Sequence, residues 1–338
     1  MTWLGLDIGG ANLKAADDRG WARSVPFPLW RDPAGLAAAL DALIRTAPAA
    51  ERLAMTMTGE LCDAFRTKAE GVRHIVAAAK QAAGGREVRV YLVDGRLANV
   101  DEALQAPQLA AASNWHALAQ FACRFVEGDA GLLIDVGSTT TDIIPFADGR
   151  PRPQGLNDTD RLFAGELVYT GVVRTPVCAI TRFLPWRGAQ CPVAAELFAT
   201  AADAYVLLGE LPEEPTVNQA ADGRPLTREF SRERMARMVC ADAAAFSDAD
   251  AVLSAAAVRN AQAAQVRAAV LRIIANMVPP ECIVLSGCGE FLARLAVGDI
   301  LPGARRVSLQ EQLGGAASAC APAHALAVLA REGNSGLF

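Results

Sequence analysis

Two strand-like segments that each break at an Asp-x-Gly turn constrain the fold most. The first reads WLGLDIGGANLKAA from Trp3, and the second reads LLIDVGSTTTDIIP from Leu132. In both, an aspartate, glycine and small polar residues interrupt an apolar run before a second apolar run begins. Glycines at a tight turn let backbone N–H groups point together and form an anion-binding nest. Two such turns in corresponding positions predict two related lobes with a cleft between them.

The rest of the chain fits this division. Each half opens with a strand, an Asp-x-Gly turn and a second strand, and then passes to helices and further strands. A length of 338 residues suggests about two domains. We place them at 1–128 and 129–338, and the second contains a helical insertion. Within it the pattern predicts alanine-rich helices over 232–246 and 248–277.

Composition excludes several classes of protein. The net charge is -5 and no dense basic run occurs, so the sequence carries no electrostatic signature of nucleic-acid binding. No charge-free apolar run reaches the ~20 residues that span a bilayer. The eight cysteines show no CxxC pairing or metal-ligand spacing, which is typical of reduced, mostly buried thiols. We therefore expect a soluble, cytoplasmic protein.

Phosphate and metal chemistry would explain both turns together. An aspartate at the end of each first strand, Asp7 and Asp135, would face one cleft and could hold Mg²⁺ that bridges phosphate oxygens. Lysine usage supports this, because only three of the 32 basic residues are lysines. Lys14 lies in the first turn segment and Lys68 in the string TKAEGV, where a compact point charge suits a phosphate. Lys80 carries no such context.

A third glycine-bearing strand end, IVLSGCGE over 283–290, completes the pattern. The trio resembles the two phosphate motifs and the adenosine motif of the actin, sugar kinase and heat-shock-protein superfamily. The form DVGSTTTD is most similar to the hydantoinase/oxoprolinase branch. The resemblance implies an α/β fold of two ribonuclease-H-like, actin-like ATPase lobes around a central phosphate-binding cleft.

More specific strings narrow the resemblance. They are MTMTGELCDAFRTKAEGVRHI (55–75), SNWHALA (113–119), AGELVYTGVVRTPV (164–177), ADAYVLLGELPEE (202–214) and RERMARMVCAD (232–242). Together they look like the family of tetrahydromethanopterin-linked one-carbon transfer pathway proteins, over nearly the whole chain. Members of known activity act in methanofuran biosynthesis. The resemblance implies a transferase that joins an aminomethylfuran methyl diphosphate to the phenol of a tyrosine or tyramine derivative and releases diphosphate.

Such a reaction needs a base for the phenolic proton, because an unperturbed tyrosine has a pKa of about 10. Two carboxylates are candidates, Glu60 in the TGE turn and Glu166 in AGELVYTG, and either could equally be a capping or salt-bridge residue. Asp135 completes the predicted catalytic set. The predicted phosphate and cofactor residues are Asp7, Gly9, Gly10, Asn12, Lys14, Lys68, Gly137, Ser138, Thr139, Thr140, Asp142, Gly287 and Gly289.

Two alternatives stay open at this stage. One is an ATP-dependent small-molecule kinase or amidohydrolase-like ATPase of the same superfamily, and the other is a nucleotide-binding regulatory protein without turnover. Under the leading interpretation Mg²⁺ is the expected cofactor and ATP is not a co-substrate. The expected partners are small molecules, with neither nucleic acid nor membrane, and a homodimer stays open.

Overall fold

A computed structural model describes residues 2–216 and 220–333 of the chain. The strands within these ranges, in chain order, are β1 (Trp3–Ile8), β2 (Asn12–Ala16), β3 (Ala22–Pro26), β4 (Arg52–Met57), β5 (Glu87–Tyr91), β6 (Leu97–Ala98), β7 (Ala130–Val136), β8 (Thr141–Ala147), β9 (Arg150–Pro151), β10 (Leu167–Val168), β11 (Phe183–Trp186), β12 (Ala189–Pro192), β13 (Cys282–Ser286) and β14 (Arg305–Ser308).

The helices of the same ranges are α1 (Leu36–Ile44), α2 (Lys68–Ala82), α3 (Val100–Gln105), α4 (Pro107–Ala110), α5 (Asn114–Ala122), α6 (Asp158–Ala164), α7 (Val177–Ile180), α8 (Ala201–Leu208), α9 (Arg228–Met238), α10 (Asp248–Ile274), α11 (Glu290–Val297), α12 (Leu309–Leu313), α13 (Gly315–Ala319) and α14 (Ala321–Gly333). A short 3₁₀ helix, Cys123–Phe125, follows α5.

The two main sheets share one topology. The first has the strand order β3-β2-β1-β4-β5-β6, and the second has β10-β8-β7-β13-β14 with β9 also paired to β8. In each, an antiparallel hairpin (β1-β2 or β7-β8) continues into parallel strands (β4-β5 or β13-β14). This repeated order is that of two ribonuclease-H-like lobes, so the predicted α/β fold is confirmed.

The hairpins also match in register. In the first sheet Asp7 pairs with Lys14, and in the second Asp135 pairs with Asp142. Each aspartate is the penultimate residue of its strand, and its partner is seven residues further along in both hairpins. The two Asp-x-Gly turns therefore occupy equivalent places at equivalent sheet edges.

The last helix of the described chain joins the two lobes. Helix α14 packs on β1, β2, β4 and α5, although β1 to β6 all lie before residue 99. Its backbone comes so close to β1 that a Cβ built on Gly5 would lie 1.8 Å from the carbonyl oxygen of Ala323. On its other side Ala325 and Val328 share a core with Leu133 and Val284 of the second sheet. The proposed boundary between 128 and 129 separates the two sheets, and the domain limits stay a prediction because this helix serves both lobes.

The helical insertion packs on the far face of the second sheet, where α8, α10 and α11 share one core with β7, β8 and β13. Helix α10 begins at Asp248, as the sequence predicts, and ends at Ile274 rather than at residue 277. The predicted helix over 232–246 is wrong beyond Met238. Cys240 adopts a left-handed φ of 55°. The Asp242 carboxylate then accepts from the backbone N–H groups of Ala244 and Ala245, which forms a turn.

Across the described ranges, no helix combines the length and apolar character needed to cross a membrane. All eight cysteines are free thiols. The expectation that most of them are buried is wrong. Cys123, Cys282 and Cys320 are buried, whereas Cys240 and Cys288 are exposed.

Candidate active site

The two Asp-x-Gly turns are closed in the same way. The backbone N–H of Gly9 donates to the carbonyl of Asn12 at 3.0 Å, and the N–H of Gly137 donates to the carbonyl of Thr140 at 2.8 Å. Between these residues, the N–H groups of Gly10 and Ser138 donate to no backbone acceptor within the described chain. Both turns therefore present free donors of the kind that forms an anion nest. The hydroxyls of Ser138 and Thr139 lie 3.4 Å apart at the second turn.

A neighbouring segment supports each turn. At the first, the N–H groups of Thr58 and Gly59 donate to the carbonyl of Ile8 at 3.0 and 3.1 Å. At the second, the N–H of Val172 donates to the carbonyl of Gly137 at 3.0 Å. A Cβ on Gly171 would lie 2.4 Å from the backbone nitrogen of Thr139, so only glycine permits this approach.

The third motif lies against the second turn. The N–H of Gly289 donates to the carbonyl of Val136 at 2.9 Å. A Cβ on Gly287, which has a φ of 89°, would lie 2.2 Å from the same carbonyl oxygen and 2.7 Å from the Oδ1 of Asp135. Both glycines are therefore required by close packing. A cavity of about 440 Å³ opens beside them; its lining is Cys288, Glu290, Phe291, Arg294, Ser308, Gln310 and Glu311.

Asp7, Lys14 and Asp135 interact electrostatically at the ends of the first strands of the two sheets. Burial raises the pKa of Asp7, and Lys14 opposes this. Burial alone would lower the pKa of Lys14, but Asp7 and then other negative groups, including Asp135, raise it overall. Burial, followed by the charge of Asp142, raises the pKa of Asp135 to about 7. Both aspartates therefore interact with Lys14, and their predicted meeting in one phosphate-binding cleft stays a prediction.

Asp142 forms a buried ion pair with Arg161. The guanidinium of Arg161 donates to its Oδ1 at 2.5 Å, and both side chains are buried. The Arg161 Cζ also lies 4.0 Å from the ring centroid of Trp115. Burial raises the pKa of Asp142, while Arg161 lowers it. Asp142 therefore neutralises Arg161, and the phosphate-binding role predicted for it stays a prediction.

Glu60 is a buried carboxylate with one unpaired oxygen. It follows directly after the segment that supports the first turn, it is 1% exposed, and its Oε2 has no hydrogen-bond partner among the residues described. Burial raises its pKa from 4.5 to about 7. Nearby, Ala112 holds a left-handed φ of 47°, an unusual conformation for a residue with a side chain. A buried acid with an unpaired oxygen and a raised pKa, beside strained backbone, is typical of a functional site.

An ion pair between the lobes lies next to Glu60. The Nζ of Lys68, the first residue of α2, is 3.0 Å from the Oδ2 of Asp158, the first residue of α6. Asp158 raises the pKa of Glu60 and Lys68 lowers it, both less than burial does. A lysine at a helix N-terminus is unfavourable for the helix dipole. Lys68 is therefore held by Asp158 across the lobe boundary, and its predicted contact with phosphate stays a prediction.

The Glu166 side chain stabilises the backbone of a neighbouring loop. Its two carboxylate oxygens accept from the backbone N–H groups of Gln154 at 2.6 Å and Gly155 at 3.1 Å. Burial raises its pKa, and these two hydrogen bonds oppose the rise. Because both oxygens are occupied, Glu166 is less suited than Glu60 to take a proton from a substrate.

Sequence reasoning missed the residues that support and neutralise the site. Gly171, Asp158 and Arg161 are the clearest cases. Gly171 lies in the segment AGELVYTGVVRTPV, where a glycine directly before two valines was a usable signal of close backbone packing. Asp158 and Arg161 gave no local signal, because their partners come from distant segments.

Sequence comparison adds to this geometry. The hydantoinase/oxoprolinase family model matches residues 52–332. A curated relative from Methanocaldococcus jannaschii, the "(4-{4-[2-(gamma-L-glutamylamino)ethyl]phenoxymethyl}furan-2-yl)methanamine synthase", is 32% identical over 332 residues, which is 97% of each chain. A relative of the same name from Methanococcus vannielii is 33% identical over 111 residues, which is 33% of this chain and 50% of that one.

Similar solved structures are more distant. The activator of the 2-hydroxyisocaproyl-CoA dehydratase from Clostridium difficile, with bound ADPNP, is 11% identical, covers 100% of this chain and 98% of its own, and gives a TM-score of 0.45. The archaeal actin homolog Ta0583 in complex with ADP is 16% identical over 98% of this chain and 100% of its own, with a TM-score of 0.44. The repeated strand order, rather than these likenesses, establishes the fold. By its match over most of its length, the chain belongs to the hydantoinase/oxoprolinase family.

Proposed function

We propose that this protein is a synthase like its M. jannaschii relative, joining an aminomethylfuran to the phenol of a tyramine or tyrosine derivative in methanofuran-type cofactor biosynthesis. The observation that carries the proposal is 32% identity over 97% of both chains. The product in that relative's name contains a phenoxymethyl group, in which a methylene carbon on the furan is bonded to a phenolic oxygen. The reaction is therefore the formation of an aryl ether.

The leaving group in this proposal is diphosphate, bound between the two turns. Free N–H donors at Gly10 and Ser138 and the ammonium of Lys14 would stabilise its negative charge. Donors fixed in place before the reaction stabilise charge that develops in the transition state. The two turns and Lys14 would thus supply what a departing diphosphate requires.

Asp7 and Asp135 fit a magnesium ion. Both offer carboxylate oxygens, the ligands that Mg²⁺ prefers, and the buried Oδ1 of Asp7 has no hydrogen-bond partner among the described residues. Within those same residues no group of three or more His, Cys, Asp or Glu side chains could hold a metal, so phosphate oxygens and water would complete the ligand set. When bound, Mg²⁺ would neutralise charge on the diphosphate.

Glu60 is the proposed base. Its carboxylate accepts the phenolic proton, the phenolic oxygen forms a bond to the methylene carbon, and the bond from that carbon to the diphosphate oxygen breaks with its electron pair leaving on the diphosphate. A pKa of about 7 makes Glu60 a better proton acceptor than an ordinary carboxylate with a pKa of 4.5, while it still ionises near neutral pH.

The direct experiment is to incubate the pure protein with Mg²⁺, the aminomethylfuran methyl diphosphate and a phenolic acceptor, and to detect the ether by mass. Tyrosine, tyramine and γ-glutamyltyramine serve as separate acceptors. We expect the ether from at least one of them. The absence of an ether from all three, together with substrate-stimulated ATP hydrolysis, would overturn the proposal in favour of a kinase or ATPase. Small-molecule partners and a cytoplasmic location belong to the same proposal, and a homodimer stays an open prediction.

A further inference from the structure

Trp30 and Arg174 meet across the two halves of the chain. The Cζ of Arg174 lies 5.5 Å from the ring centroid of Trp30, within the range of a cation–π contact. Both side chains are exposed, and 37% of Trp30 is accessible to solvent. An exposed tryptophan in contact with an exposed arginine of the other lobe is therefore a surface that a ligand can reach.

Each of the two residues is tied to one of the phosphate-binding turns. The N–H of Leu29, next to Trp30, donates to the carbonyl of Gly10 at 2.9 Å. The N–H of Arg174 itself donates to the carbonyl of Ser138, also at 2.9 Å. These hydrogen bonds tie the backbone next to Trp30 to the first turn and the backbone of Arg174 to the second.

The guanidinium of Arg174 is free to take a ligand. No carboxylate pairs with it anywhere in the described ranges. Arg161, by contrast, forms an ion pair with Asp142. A planar guanidinium matches two phosphate oxygens and forms charge-assisted hydrogen bonds with them. An unpaired arginine anchored on an anion nest therefore has the chemistry of a phosphate ligand.

We propose that Trp30 and Arg174 are a substrate clamp at the mouth of the cleft, in which Arg174 binds the diphosphate of the substrate and the indole of Trp30 packs against its furan ring. The proposal deepens the proposed function and rests on it for the identity of the furan. A methylene group separates the furan from its diphosphate, so both can be reached by residues fixed to neighbouring turns. An aromatic face suits a flat heterocycle, and such stacking adds a modest binding energy.

The chain contains a similar contact that serves as a control. Arg187 lies 4.3 Å from the ring centroid of Trp186, but the two are sequence neighbours at the turn between β11 and β12. Arg187 is exposed, like Arg174, and belongs to neither nest. Substitution there removes an arginine from a tryptophan face without touching the two turns.

The first test is calorimetry of inorganic diphosphate with Mg²⁺ on the full chain. We expect Arg174→Gln to weaken binding about 10- to 100-fold, as for the loss of a hydrogen bond between charged groups, Arg174→Lys to weaken it less, and Arg187→Gln to leave it unchanged. Circular dichroism checks that the variants are folded. Wild-type affinity in Arg174→Gln, or no diphosphate binding by the wild type, would overturn the clamp.

The second test separates the two halves of the clamp. Trp30→Ala should bind inorganic diphosphate within about 2-fold of the wild type but lose about 5-fold in affinity for the furan methyl diphosphate, since only the latter carries a ring. Equal losses for both ligands, or none for either, would contradict the role of Trp30. Binding is measured without turnover. A wild type that binds the furan diphosphate but forms no ether would thus refute the proposed function alone.

Discussion

Asp7 and Asp135 are the penultimate residues of equivalent strands in the two sheets, and both interact with the ammonium of Lys14. In the matching register Asp7 has Lys14 opposite to it, whereas Asp135 has Asp142. The second position would bring two carboxylates together, and Arg161 relieves this by pairing with Asp142. The two lobes thus differ in charge at equivalent positions of their hairpins.

Removal of either aspartate charge should weaken magnesium-dependent binding of diphosphate. We expect Asp7→Asn and Asp135→Asn each to lower the affinity at least about 10-fold and to leave the circular dichroism spectrum unchanged. Because the pKa of Asp135 is about 7, binding should also strengthen as pH rises through 7. Calorimetry with and without a chelator measures both effects. Affinities that respond to neither the chelator nor the substitutions would rule out the metal role.

Glu60→Gln should lower turnover by about 10² to 10⁴ and change diphosphate affinity little, because a base acts in the transition state. Glu70→Gln, an exposed substitution in the first turn of α2, is the control. Glu166→Gln should instead lower the free energy of unfolding by about 1 to 2 kcal/mol, since its carboxylate holds two backbone N–H groups. Steady-state kinetics and denaturant unfolding separate the two effects. A larger loss of turnover in Glu166→Gln than in Glu60→Gln would identify Glu166 as the base.

The burial of Glu60 should appear in protein stability. Its pKa is 4.5 when unfolded and about 7 when folded, so the folded state binds more protons between these values and the free energy of unfolding falls as pH rises through that window. Glu60→Gln removes the free-energy cost of burying an ionised carboxylate. We expect it to be more stable than the wild type by about 3 kcal/mol at pH 8 and equally stable at pH 4. Urea unfolding at the two pH values is the measurement, and a variant less stable at pH 8 would contradict this account.

Lys68 and Asp158 should move the activity profile in opposite directions. Asp158 raises the pKa of Glu60 and Lys68 lowers it. Asp158→Asn should therefore shift the acidic limb of the kcat/KM profile to lower pH, and Lys68→Met should shift it to higher pH. Lys80→Met, on the exposed end of α2, is the control and should shift nothing. Shifts of the same sign in both variants would mean that the ion pair acts only by holding the lobes together.

The part of the site that could be predicted from the sequence is the part made by local chemistry. The turns at Gly9 and Gly137 depend on residues within a few positions of each other, so their glycines, aspartates and hydroxyls marked them. The pairing of Lys68 with Asp158 depends on how two lobes meet, and no local pattern contains that information. The same holds for the choice between Glu60 and Glu166, which differ only in the partners that folding brings to them.

Long-range packing also explains why the sequence did not predict the position of helix α14. Helix α14 reaches β1 through Gly5, and that glycine has no turn or positive φ to mark it. Near Cys240, by contrast, a sequence with helical periodicity leaves the helix, and the Asp242 carboxylate accepts hydrogen bonds from two later backbone N–H groups. Side chains of this kind compete with the helix for backbone donors, and periodicity alone does not detect them.

We propose that the two turns serve departure of diphosphate rather than transfer of phosphate from ATP. The most direct measurement is the stoichiometry of products in a single reaction mixture with Mg²⁺, the furan methyl diphosphate and a phenol, followed by mass detection and an assay for inorganic diphosphate. We predict one diphosphate for each ether formed, at the same rate with and without ATP. Ether formation that requires ATP and releases ADP, or diphosphate release without any ether, would contradict the account.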